Sequence, residues 1–142
     1  MSKKGKKRRV WAVALVVLIA IAVAGYAFFG NVSVSEDATA EFYYVNDYYD
    51  IEITTTLTEE ESKKVREMIN DGRVVVDNGL SCGFDDSIYL SFDDGNRVKN
   101  FYIACDNCPN LKHDGKVVML SKQDNEELRD MLRKYGAKFP CV

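Results

Sequence analysis

Hydrophobic and polar positions along this chain change rhythm several times, and each rhythm predicts a different element. From Val10 to Gly30 no charged residue occurs. At about 1.5 Å per residue such a run reaches roughly 30 Å as a helix, the thickness of a bilayer's hydrocarbon core. After a polar stretch from Asn31 to Glu41 comes an aromatic β segment, Phe42 to Val45. Asp50 to Leu57 then alternates, placing Ile51, Ile53, Thr55 and Leu57 on one face of a strand. Thr58-Glu59-Glu60-Glu61 is a capping box, in which a threonine hydroxyl and a glutamate satisfy the free amides of a helix start. Val65, Met68 and Ile69 follow at helical spacing, and Asp71-Gly72 ends the helix before a short strand, Arg73 to Val76.

The second half repeats these themes. Ile88, Leu90 and Phe92 alternate inward, Asp93-Asp94-Gly95-Asn96 supplies a hairpin turn, and Arg97 to Cys105 returns as the partner strand. A turn at Asp114-Gly115 precedes a strand from Lys116 to Leu120. Ser121 caps a helix whose apolar residues Leu128, Met131, Leu132 and Tyr135 follow i, i+3, i+4, i+7, and Gly136 closes it. Leu57-Thr58 leading to Val65-Arg66-Glu67-Met68-Ile69 matches Leu120-Ser121 leading to Leu128-Arg129-Asp130-Met131-Leu132 at a constant offset of 63 residues. Both duplication of a strand–helix unit and convergence on common caps produce such a match. The element order predicts an α+β fold: an antiparallel sheet with two helices packed on one face, preceded by an N-terminal transmembrane helix.

Charge sets the orientation. Lys3, Lys4, Lys6, Lys7, Arg8 and Arg9 precede the apolar run, and a basic cluster of this kind stays cytoplasmic. The expected organisation is a cytoplasmic tail (1–9), a membrane anchor (10–30), a stalk (31–41) and an extracytoplasmic domain (42–142). Cleavage as a signal peptide after Ala22-Val23-Ala24 is the competing reading, opposed by the apolar continuation through Tyr26, Ala27, Phe28 and Phe29. Ala12, Ala14, Ala20, Ala22 and Ala24 would also let the helix pack closely on a partner helix, as in a structural subunit of a membrane complex. Asn31-Val32-Ser33 is a sequon, relevant only in a host that glycosylates. All 22 Asp and Glu follow the apolar run, against 13 of the 19 Lys and Arg, so residues 31–142 carry a formal charge of −9. That balance disfavours nucleic acid as a partner. The expected partners are the bilayer, through residues 10–30, and an extracytoplasmic ligand or membrane protein.

Candidate chemistry is concentrated in Cys82, Cys105, Cys108 and Cys141. An even count in a small exported domain predicts two disulfides. A hairpin turning at Asp94-Gly95 places Cys105 opposite Phe84 and diagonal to Cys82, which favours Cys82–Cys105 and leaves Cys108 for Cys141; four cysteines allow three pairings. Two alternatives use the same residues: a zinc site made by all four thiolates, and a thiol–disulfide oxidoreductase built on the C-x-x-C at Cys105 and Cys108. Apart from that zinc, no cofactor is expected. Pro109 and the turn-rich segment after it lack the helix that activates a catalytic C-x-x-C. His113, the single histidine, is expected to be exposed in a turn, and Asp85, Asp86, Asp93 and Asp94 are expected to bound strands and build turns. Tyr43, Tyr44, Tyr48 and Tyr49 form an aromatic patch that could serve as a ligand contact.

The segments Ser81-Cys82-Gly83-Phe84-Asp85, Ala104-Cys105-Asp106-Asn107-Cys108-Pro109, Lys134-Tyr135-Gly136 and Phe139-Pro140-Cys141-Val142 resemble a motif set in uncharacterised exported, membrane-anchored domains of Gram-positive bacteria. The resemblance covers about the last 60 residues. It implies a bacterial cell-surface module whose four cysteines act as one structural set, and it implies no activity. The function expected is therefore a membrane-anchored extracytoplasmic binding or sensing module rather than an enzyme.

Overall fold

The computed structural model describes residues 3–29, 32–79 and 82–139, with the side chains of the first helix described over 11–26. The chain divides into two units, Met1–Ser33 and Val34–Val142. The first contains α1 (Lys3–Phe29), whose described side chains are almost all exposed. Among the described residues no helix is long and apolar enough to cross a membrane. The described side chains of α1 account for about 24 Å of helix, short of a bilayer core; Val10 and residues 27–30, which complete the apolar run, lie outside them. The expected transmembrane helix is thus not supported as a span, although a helix, α1, occupies that part of the chain. Asn31 of the sequon also lies outside the described residues.

The second unit is α+β. Its elements are β1 (Thr39–Asn46), β2 (Ile51–Thr56), α2 (Glu59–Asp71), β3 (Arg73–Val76), β4 (Phe84–Asp93), β5 (Val98–Ala104), β6 (Asn110–His113), β7 (Lys116–Met119) and α3 (Lys122–Lys134). Among the described residues the seven strands form one antiparallel sheet in the order β2-β1-β4-β5-β6-β7-β3. Cross-strand neighbours share a face, so register divides the sheet into two. Phe42, Leu90 and Phe101 are neighbours, as are Ile103, Leu111 and Val118, and all six are buried. Val65, Met68 and Ile69 of α2 and Leu128, Met131 and Leu132 of α3 complete this core. Each large side chain so buried contributes about 1.5–3 kcal/mol.

The helix signals read from the sequence are all present. Thr58 Oγ1 accepts from the Glu61 amide and the Glu61 carboxylate accepts from the Thr58 amide, the complete capping box. Ser121 caps α3 in the same way through the Asp124 amide. Gly136 adopts φ +101° where the chain leaves α3, and Asp114-Gly115 takes positive φ at both positions to turn β6 into β7. The 63-residue offset has a structural counterpart. Hairpin–helix units β1-β2-α2 and β6-β7-α3 occupy opposite halves of the strand order, and the equivalent positions Lys64 and Glu127 pair with each other at 2.8 Å. Equivalent arginines both reach strand-end carbonyls: Arg66 donates to Ala38 O and Arg129 to Ala104 O.

Two expectations need correction. The stretch expected as a stalk is packed from Val34 onward: its amide and carbonyl are bound by Asn70, and Ala38 and Ala40 are fully buried. β1 begins at Thr39 because Ala40 must alternate inward beside Phe92. The β4–β5 hairpin also differs from a two-residue turn. Asp93 pairs with Val98, the turn is held by the Asp93 and Asp94 carboxylates, and the register shifts between Phe84 and Tyr89 so that Phe84 faces Ala104. An irregularity of this size lets a strand bend while its ends stay paired.

Candidate functional site

The register shift decides where the cysteines go. Past it, the Cys105 amide donates to Gly83 O at 2.7 Å, and the Gly83 amide donates to the Asp106 carboxylate at 3.2 Å. These bonds clamp the segment entering β4 against the β5–β6 loop. Cys82 then faces Cys108 rather than Cys105: the Sγ atoms of Cys82 and Cys108 and a carboxylate oxygen of Asp106 all lie within 4.8 Å of one another. Cys105 turns aside, its thiol 3.7 Å from Asp85 Oδ2. No disulfide joins Cys82, Cys105 and Cys108 in this structure. Cys141 lies outside the described residues, so the expected Cys108–Cys141 bridge and a four-cysteine zinc site both involve a position beyond them.

The triad is tightly supported. Asn110 Nδ2 donates to Cys82 Sγ at 3.1 Å, and the Cys108 amide donates to Asp106 Oδ1 at 3.0 Å. The hydrogen bond with Cys82, followed by burial and the Asp106 carboxylate, pushes the Cys108 thiol up to about 12. Asp106 is held below the ordinary carboxylate range: burial acts against this, and the amides of Cys108 and Gly83 outweigh it. From the other side comes Arg129 of α3, only 3% exposed. Its guanidinium donates to Ala104 O at 2.8 Å, to Asp106 O, and to Asn125 Oδ1 at 3.2 Å, beneath the ring of Phe139 at 4.6 Å. Nothing in its sequence neighbourhood marks Arg129 as a core residue except its equivalence to Arg66.

A thiol–disulfide enzyme requires a low-pKa thiol at a helix start. Here β6 follows the C-x-x-C, Cys105 Sγ lies 3.7 Å from Asp85 while Cys108 lies with Cys82 and Asp106, and the Cys108 thiol is shifted the opposite way. His113 is half-buried rather than exposed: it stacks on Phe101 at 4.8 Å, and its Nδ1 lies 2.9 Å from Asn100 O, because β6 directs it to the same face as Leu111.

The second feature is the sheet face opposite the Phe42–Leu90–Phe101 row. Tyr43, Tyr89 and Tyr102 are successive cross-strand partners on β1, β4 and β5, with ring centroids 4.8 and 5.5 Å apart. All three are half-buried, with Thr54 and Lys112 at the ends of the row and Glu41, Ser91 and Asn100 alongside. Burial, then the neighbouring phenols, raise the Tyr89 hydroxyl above its ordinary range. Of the tyrosines expected as contacts, Tyr43 is in this row. Tyr44 is not available: it faces the core at 3% exposure, and its hydroxyl donates to Lys138 O. Tyr48 and Tyr49 sit at the β1–β2 turn, edge to face at 4.9 Å, with Tyr48 87% exposed and Lys138 over Tyr49. Tyr89 and Tyr102 were not singled out by the sequence because only register makes them neighbours of Tyr43; their alternation with Ile88, Leu90, Phe101 and Ile103 was the available signal.

No protein-family model matches the chain, and neither a curated protein nor a solved structure is significantly similar to it.

Proposed function

We propose that this protein is a membrane-anchored extracytoplasmic binding module. The basic residues before Val10 and the uncharged run to Gly30 make residues 10–30 the anchor, with the N-terminus cytoplasmic and the Val34–Val142 unit outside. The two helices cover one face of its sheet and leave the other for a partner. The observation that carries the reading is the Tyr43–Tyr89–Tyr102 row, three half-buried rings crossing the central strands with no helix assigned over them among the described residues. Tyrosine offers a large rigid apolar body with a polar tip, the combination that recurs at contact surfaces. The cysteines are read as structural: they lie where the Gly83–Asp106 and Cys105–Gly83 bonds join the entry of β4 to the β5–β6 loop.

The test is a photo-crosslinking amino acid placed at Ser91, beside the row, or at Glu126 on the exposed side of α3, in the full chain in its native host. Adducts that form from Ser91 and vanish in Tyr89→Ala, with none from Glu126, are expected. Equal adducts from both positions, or none from Ser91, would contradict a binding role for this face.

A further inference from the structure

We propose that Cys82 Sγ, Cys108 Sγ and the Asp106 carboxylate bind one thiophilic divalent cation of the zinc class, with Cys105 outside the ligand set. This goes beyond the binding role above and does not depend on it. The three donors arrive from two chain segments and already share a triangle whose sides are within 4.8 Å. With metal–sulfur bonds of about 2.3 Å, a tetrahedral site needs donor separations of roughly 3.7 Å, so small side-chain rotations close it without moving the backbone. Two sulfurs and one oxygen suit zinc rather than calcium or magnesium, which take oxygen ligands throughout.

The surroundings are those a charged ligand set needs. Asn110 donates to Cys82 Sγ, and the amides of Cys108 and Gly83 donate to the two oxygens of Asp106. Such outer donors orient ligands and stabilise their negative form. Two thiolates and a carboxylate carry −3; a divalent cation reduces this to −1, and the Arg129 guanidinium on Asp106 O lies close enough to balance the rest. Binding replaces protons with metal: two thiols and M²⁺ give two metal–sulfur bonds and two H⁺, with no change in oxidation state. The Cys105 thiol is occupied by Asp85 and takes no part.

The experiment is a cobalt(II) titration of the full chain in mild detergent, reduced and stripped with chelator, without oxygen. A one-to-one endpoint is expected, with thiolate-to-cobalt charge-transfer absorption that zinc abolishes and with proton release. Cys82→Ser and Cys108→Ser should lose the band, Asp106→Asn should weaken binding by about tenfold or more, and Cys105→Ser should bind as the unmutated chain does. Circular dichroism separates a lost fold from a lost site; where a cysteine variant unfolds, Asp106→Asn and Cys105→Ser still decide. Absence of cobalt uptake by the reduced chain would overturn the proposal. So would loss in Cys105→Ser without loss in Asp106→Asn, or a Cys82–Cys108 disulfide in the protein as isolated.

Discussion

Replacing Arg129 by methionine tests how α3 holds the cysteine loop. The guanidinium makes three hydrogen bonds, to Ala104 O, Asp106 O and Asn125 Oδ1, while its Nη1 finds no partner among the described residues. Methionine has similar length and keeps the packing under Phe139, so the change removes polar chemistry more than volume. Ala104 and Asn125 are buried and would be left with unsatisfied acceptors, at about 1–3 kcal/mol each. Asp106 is half-buried, and water can replace the bond to its carbonyl. Against this stands relief of a buried charge, the same burial that lowers the arginine's pKa. The balance is a loss of about 2–3 kcal/mol. In urea, with a slope near 1–1.5 kcal/mol/M for a domain of this size, the midpoint should fall by about 2 M. The assay is urea unfolding of a fragment beginning at Val34, followed by near-ultraviolet circular dichroism. Arg66→Met is the internal control: its arginine is half-buried and makes one such bond, to Ala38 O, so it should cost about 1 kcal/mol. An Arg129→Met variant as stable as the parent, or less affected than Arg66→Met, would refute the reasoning and mean that desolvation outweighs the bonds.

Three further outcomes follow from the same geometry. Gly72→Ala should destabilise by about 1–3 kcal/mol in a thermal melt, since its new Cβ would run into Val118 Cγ1, a fully buried atom with no room to move; an unchanged melting temperature would contradict that close approach. Glu61 is held below its ordinary range, chiefly by the Tyr135 hydroxyl at 2.5 Å, so it contributes stability that is present above its unfolded pKa and lost as pH falls through the lower folded value. Melting temperatures recorded down through the carboxylate range should therefore fall less steeply in Tyr135→Phe than in the parent, and parallel curves would contradict the linkage. In reduced, chelator-treated protein, Cys108 should be slow to react with iodoacetamide near neutral pH and faster in Cys82→Ser, because its hydrogen bond with Cys82 is the largest cause of its raised pKa. Peptide mass mapping checks this, and a Cys108 unaffected by Cys82→Ser would oppose the paired geometry.

Local signals were readable from the sequence and long-range ones were not. Thr58 with Glu61, Ser121, Gly136 and Asp114-Gly115 each state their role within a few residues, and each takes it in the structure. The β4–β5 register depends on an irregularity between Phe84 and Tyr89, beyond which Gly83 is bonded to Cys105 and Asp106. Without that register, Cys82 is assigned to Cys105 instead of Cys108, and Tyr43 is not joined to Tyr89 and Tyr102. Arg129 was hidden for another reason. An arginine on a polar-patterned helix reads as solvent-facing, and the acceptors it finds at Ala104, Asp106 and Asn125 make its burial tolerable. Asp106 likewise stands out only once Cys82 and Cys108 are placed beside it.

The central claim is that the Val34–Val142 unit is held outside the membrane by the helix before it. Protease added to intact protoplasts tests it most directly, with antibodies to tags at each terminus. The account predicts that the C-terminal tag is lost while an N-terminal fragment of the anchor stays in the membrane, resistant to alkaline carbonate extraction. A chain fully protected until lysis, or released from the membrane by carbonate, would contradict it.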